Sequence, residues 1–235
     1  MNAVWTTLQA QPATWLALTV LAWLLADGLY VRSGRRALCN PVLLGIALVM
    51  LALWLLGEPY ADYFGHVRLI HFLLGPATVA LAVPLYLNIN RLRALALPLL
   101  LALAIGSVVG IGSALLLGRL FGLDHNLLAT LAPKSVTTPI AMALSAQHGG
   151  LPALTAGIVI VTGVLCAVAA VPLLNALKLR DPLVQGFAIG IAGHGIGTAR
   201  ALQVSSTAGA FAGLAMGLNA LVTSLLLPLL LAWMG

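Results

Sequence analysis

From Leu95 to Leu117 the chain reads LALPLLLALAIGSVVGIGSALLL without one charged side chain, and such a run limits what can surround it. A helix needs about 20 apolar residues to cross a bilayer, whereas a barrel strand alternates apolar and polar residues over about 10. Comparable runs lie at Trp15–Leu25 with its apolar flanks, Val42–Leu56, Leu151–Leu177 and Phe211–Trp233, and none of them alternates. Of 235 residues, 62% are hydrophobic and 7% charged, with a mean hydropathy of +1.10. A soluble domain carries about a quarter charged residues. The sequence thus predicts an all-α polytopic membrane protein, residues 1–235 forming a single transmembrane domain with about 6–8 crossing segments.

The start, MNAVWTTLQAQ, lacks the basic region of a cleavable signal peptide. Cys39 and Cys166 do not form a disulfide framework and read as small packing residues. The net charge of +6 comes from cations scattered between apolar runs, which excludes a nucleic-acid partner. Neither H-E-x-x-H nor G-x-S-x-G occurs, and GHGIG fails the dinucleotide spacing, so no protease, cofactor or metal is expected.

The cations record topology instead. Arg32, Arg35 and Arg36 follow the first span, Arg91 and Arg93 the third, and Lys178 and Arg180 the run from Leu151. Positive loops stay cytoplasmic. If residues 127–148 simply crossed, Lys178 and Arg180 would land outside; if the segment enters and returns, they land inside. The charges therefore favour a re-entrant or broken segment with PKSVTTP near the midplane. A second interrupted segment, DPLVQGFAIGIAGHGIGTARALQ (181–203), carries so many glycines that its helix is expected to unwind at Gly193–Gly197. Two discontinuous segments among ordinary spans form the sequence pattern of a secondary transporter. Weak repetition accompanies them: 103–116 aligns without gaps on 214–227, and 40–47 resembles 181–188.

Thr138-Pro139 reads as a helix start whose free N–H groups face Ser135, Thr137 and Thr138, and Thr198 reads as a second cap. Lys134 and Arg200 are the cations inside these segments, and no Asp or Glu lies between Leu127 and Ala153 or beyond Leu183. Their partner is then either a mobile anion or a distant group: Lys134 snorkelling to the interface, Arg200 pairing with Asp27 or Asp181. Arginine suits a carboxylate, and the hydroxyls of Ser135, Thr137, Thr138 and Thr198 either address a second polar group or bond back to their own helix; a small carboxylate fits the set. His194 is either a substrate or proton ligand or a packed polar residue. Gly195 and Gly197 permit close backbone approach. Asn219 joins helices or contacts a ligand, and Thr78 marks a third Pro/Gly-bearing segment; both are additional candidates. Gly209, Gly213 and Gly217, spaced by four, predict a face for close helix packing.

LAPKSVTTPIAM, GIAGHGIGTARAL and GAFAGLAMGLNAL, with FLLGPATVALAVPLY before them, resemble the LrgB/CidB-like family of bacterial membrane proteins over about residues 40–235. A similar domain occurs in the plastidial glycolate/glycerate translocator. The resemblance implies a multi-pass protein of the bacterial inner (cytoplasmic) membrane that moves small monocarboxylates such as glycolate, glycerate or pyruvate. It also implies, as the alternative, an antiholin-like regulator of murein hydrolase activity and lysis, acting as a pore or with a small LrgA/CidA-like membrane subunit. Roles transfer only to the matched motifs, Pro133–Pro139 and His194–Arg200. A transporter of this kind is expected to alternate access by rocking or an elevator-like shift, to form a homodimer in the lipid bilayer, and to catalyse no reaction.

Overall fold

The computed structural model describes residues 9–34, 39, 41–80 and 82–234. Every regular element among them is a helix, and the chain divides into two compact units, Met1–Ala80 and Leu81–Gly235. Arg35 and Arg36, two of the topology-setting cations, lie outside the described residues.

The first unit holds α1 (Pro12–Arg32), α2 (Pro41–Leu56), α3 (Tyr60–His66) and α4 (Arg68–Ala80). Its centre is Trp15, wholly buried, with its indole N–H on the Gln9 carbonyl at 2.8 Å and its ring edge-on to Tyr63. Thr19 and the Tyr63 hydroxyl share a hydrogen bond at 2.8 Å, so the polar ends of these aromatics are satisfied inside. Gly57 ends α2 in the left-handed conformation (φ 67°), and Glu58 N–H bonds back to the Leu53 carbonyl. That turn bends α3 by 115° from α2.

The second unit holds α5 (Ala82–Leu87), α6 (Ile89–Ala94), α7 (Ala96–Leu120), α8 (His125–Leu131), α9 (Thr138–Gln147), α10 (Pro152–Ala176), α11 (Pro182–Val204) and α12 (Ser206–Met234). Among the described residues, four helices are long and apolar enough to cross a membrane, α1, α7, α10 and α12, with the bent pair α2/α3 a fifth. This is fewer than the expected 6–8. Residue 81, between α4 and α5, lies outside the described residues, and the segment carrying α8 and α9 folds into short pieces.

Residues 125–151 form a hairpin. Leu151 N–H donates to Thr130 Oγ1 at 2.8 Å, and Thr155 Oγ1 donates to the Thr130 carbonyl at 3.1 Å and to Ser145 Oγ at 2.8 Å. The chain therefore leaves Thr130, turns through PKSVTT and comes back to where it started. Asp124 caps the entry by accepting from Leu127 N–H. Gly150 is needed at this base, because a Cβ there would run into Ser145 Oγ and the Thr130 backbone.

α11 is a second hairpin. His194 has φ 41° and ψ −138°, which no helix accommodates. In a straight helix Ile189 and Gly197 would stand about 12 Å apart along the axis, yet a Cβ on Gly197 would sit 3.0 Å from the Ile189 carbonyl. The limb after His194 thus doubles back along the limb before it. The expected unwinding at Gly193–Gly197 contracts to this one residue, and it is not a glycine. The base is stapled by Gln185, whose Nε2 donates to Asn175 Oδ1 and the Leu179 carbonyl, both at 2.8 Å. Asp181 accepts from Leu183 N–H and pairs with Arg91, so it is no partner for Arg200.

Because α11 doubles back, α12 starts beside the base of that hairpin and runs parallel to its first limb. Cβ atoms at Gly186 and Gly190 would collide with the backbone of Ala208 and Ala212 respectively. This is the close-packed seam of the unit. Of the expected small face at Gly209, Gly213 and Gly217, Gly209 is closely packed, a Cβ there lying 2.2 Å from Leu202 Cδ2, while Gly217 has nothing within 4 Å. α7 and α10 are each 25 residues long and each is followed by a hairpin.

Gly190→Ala is expected to lower stability in detergent by about 1–3 kcal/mol, because backbone cannot step aside for the new methyl. Gly217→Ala is expected to stay within about 0.5 kcal/mol of wild type. Thermal unfolding of the two variants side by side checks the seam.

Candidate functional site

The two hairpin tips come together between α7 and α12. Lys134 Nζ donates to the Gly110 carbonyl at 2.7 Å, and Gly110 lies about 15 Å from the C-terminal end of α7 at 1.5 Å per residue. Lys134 does not snorkel; its ammonium stays on the helix wall beside Ser135. On the other hairpin, His194 Nε2 meets the Val159 carbonyl at 2.9 Å, and its ring fills the space left by Gly163, where a Cβ would come within 2.6 Å of His194 Cε1. His194 is buried and packed into α10 rather than turned to a cavity.

Asn219, wholly buried midway along α12, holds the tips together. Its Nδ2 donates to the Ser135 carbonyl at 3.3 Å and to the Ile191 carbonyl at 3.1 Å, and its Oδ1 accepts from Ser107 Oγ of α7 at 2.7 Å. One side chain thus ties the first tip, the second hairpin, α7 and α12. The sequence suggested a joining role for Asn219 but gave no means of naming its three partners, Ser107, Ser135 and Ile191. The broken backbone of α11 is satisfied in the same manner. Thr198 Oγ1 donates to the His194 carbonyl at 2.8 Å, and Cys166 Sγ lies 3.9 Å from the Ile189 carbonyl. Thr198 is therefore not an N-cap; it bonds back one turn. Thr137 occupies the cap position of α9 and Thr138 is its first residue, and neither side chain makes a capping bond.

A cavity of about 850 Å³ lies between α7 and α10, backed by the first limb of α11, with Lys134, Ser135 and Ser113 lining one end. Leu95, Leu173 and Leu183 mark its other end, which is the end carrying Arg91, Arg93, Lys178 and Arg180. Of the residues singled out in the sequence, Lys134 and Ser135 line this space. Thr137, Thr138, His194, Gly195, Gly197, Thr198, Arg200 and Asn219 do not. Arg200 lies on the returning limb of the second hairpin, buried, with Nη1 donating to Gln203 Oε1 at 2.9 Å. The two cations of the interrupted segments are thus on different hairpins, and one of them is at the cavity. The side chain of Thr78 lies outside the described residues. Among the described residues no group of three or more His, Cys, Asp or Glu side chains gathers to hold a metal ion.

Among protein families, the LrgB-like family matches the chain over residues 19–233. The uncharacterized protein YwbG of Bacillus subtilis is 36% identical over 219 residues, covering 93% of this chain and 97% of that protein. YxaC of the same organism, also uncharacterized, is 36% identical, covering 91% and 93%. The antiholin-like protein LrgB of Bacillus mycoides is 26% identical over 220 residues, covering 94% and 96%. No solved structure matches the chain.

Asn219→Leu leaves the Ser135 and Ile191 carbonyls without their donor in an apolar surround. An unsatisfied buried group costs about 1–3 kcal/mol, so the variant should lose that much stability and expose both tips to limited proteolysis before the helices melt. Unchanged proteolysis at 131–137 and 192–197 would contradict the bridging role.

Proposed function

Since this chain belongs to the LrgB-like family, we propose that it is a secondary transporter of the inner membrane, carrying small monocarboxylates past the hairpin tips. Lys134 carries this reading: a cation held at one end of a cavity, with no carboxylate in its segment to neutralise it. Burying a cation in a membrane costs at least about 2.5–3.5 kcal/mol, which an anionic substrate offsets when it binds. In this reading both hairpins are re-entrant, the first entering from the face where α7 ends and the second from the face where α10 ends. Irregular backbone at such depth is tolerated where protein or a water-lined cavity satisfies it. Alternating access follows if the tips and their Asn219 tether move past α7 by rocking or an elevator-like shift, with the rest of a homodimer as scaffold. Glycolate, glycerate and pyruvate are the first substrates to try.

A second reading is favoured by the relatives that carry a functional name, since LrgB of Bacillus mycoides is called antiholin-like. On it the chain regulates murein hydrolase activity and lysis, as a pore or beside a small LrgA/CidA-like subunit. The names speak for this reading more directly than for transport, because none of them names a substrate. Geometry speaks for a site: one end of the cavity is built around one cation.

Uptake of labelled glycolate, glycerate and pyruvate into proteoliposomes holding the pure protein separates the two. Saturable uptake is expected for the wild type, with a loss of about 10- to 100-fold for Lys134→Gln, as for one charge-assisted hydrogen bond. Arg200→Gln should cost less, because Arg200 lies off the cavity. Channel currents without saturable flux would establish the second reading instead.

A further inference from the structure

The cavity is built for more than the head of a small acid. Among its lining side chains, Ser113, Lys134, Ser135, Thr162 and Cys166 carry a polar atom, and the rest are aliphatic, aromatic or glycine. Ser113 Oγ already donates to the Gly110 carbonyl at 3.3 Å, so its proton is used on its own helix. The polar groups sit around the end that Lys134 lines. From Gly110 to Leu95 the cavity follows α7 for about 22 Å, walled by Leu99, Ala102, Leu165, Ala169, Phe187 and Ile191.

Three exclusions follow. A second carboxylate on the ligand would lie against these apolar walls, where an unpaired charge is strongly disfavoured. Hydroxyl groups beyond the head would lack partners, and a site discriminates for hydroxyls when its own polar groups are left unpaired without them. An acid as small as glycolate fills a minor part of 850 Å³, a volume within the range of about 300–1,000 Å³ of sites for much larger ligands.

We propose that the ligand of this site is an amphiphilic monocarboxylate, its carboxylate at Lys134 and Ser135 and its apolar body along α7, α10 and the first limb of α11. The inference rests on the transport reading for its physiological sense but not for its test. Lys134 keeps donors beyond the one that Gly110 accepts, so it can hold the helix wall and the carboxylate together. Ala102 and Ala169 face the apolar body, and their small size is what leaves room for it. They set chain-length preference: a larger side chain at either position shortens the acid that fits.

The experiment measures equilibrium binding of labelled butyrate, hexanoate, octanoate and glycerate to the full chain in lipid nanodiscs, against empty nanodiscs of the same lipid. Affinity should rise about fourfold per added methylene, from the free energy of burying a CH₂, and glycerate should bind more weakly than butyrate. Lys134→Gln should weaken the whole series by one common factor. Ala169→Phe should leave butyrate bound and flatten the series beyond it, and Ala102→Phe serves the same purpose should the first variant fail to fold. Affinity independent of chain length, or glycerate tighter than butyrate, overturns the proposal. So does a gradient that survives both cavity-filling variants, since that is partition into lipid. A gradient in binding without flux in proteoliposomes supports this site and removes transport; saturable glycerate flux without a gradient does the reverse.

Discussion

Inside a bilayer no water pairs with a free N–H or C=O group, and every departure from helical bonding must be made good by protein. The structure spends its few buried polar side chains on that task. Asn219, Ser107, Thr198, Cys166 and His194 attend to carbonyls around the two tips, while Thr130, Thr155, Ser145 and Gln185 close the two bases. An unmet polar group in hydrocarbon costs about as much as several apolar contacts return. The hairpins therefore exist only together with this set of donors and acceptors, and the cavity exists only because the hairpins do.

The second consequence is mechanical. Asn219 spans carbonyls from both hairpins, so neither tip can be displaced far without breaking a bond to the other. Gly186 and Gly190 press the second hairpin onto Ala208 and Ala212, which couples it to α12 along its first limb. His194 pays for its position with a backbone conformation that costs about 1–3 kcal/mol in a residue with a side chain. That conformation persists because its ring is held between the Val159 carbonyl and the gap at Gly163. The unit holds two hairpin tips linked through a single asparagine.

Much of this was legible in the chain. An uninterrupted apolar run such as Leu95–Leu117 has one reading, and PKSVTTP inside such a protein marks broken helix with equal clarity. The position of Lys178 and Arg180 also favoured a re-entrant or broken segment at 127–148, and the chain there does fold back on itself. What could not be read was tertiary. The break in α11 fell on His194 and not on a glycine, because the choice depends on which side chain finds Val159 across the unit. Gly209 of the expected stripe packs closely, but so do Gly186 and Gly190, which the spacing did not point to, since it identifies a stripe but not the surface it will meet. Lys134 and Arg200 were placed on the two interrupted segments where they lie, but of the two only Lys134 lines the cavity. The three bonds joined at Asn219 have no sequence signature.

The claim beneath all of this is that each hairpin enters and leaves by one face. Single cysteines at His125 and Gln147, and at Leu179 and Val204, in a chain with Cys39 and Cys166 replaced, report it through labelling by an impermeant maleimide in vesicles of known orientation. The account predicts that 125 and 147 react from one side and that 179 and 204 react from the other. If 125 and 147 react from opposite sides, residues 125–151 cross the membrane, and the account is contradicted.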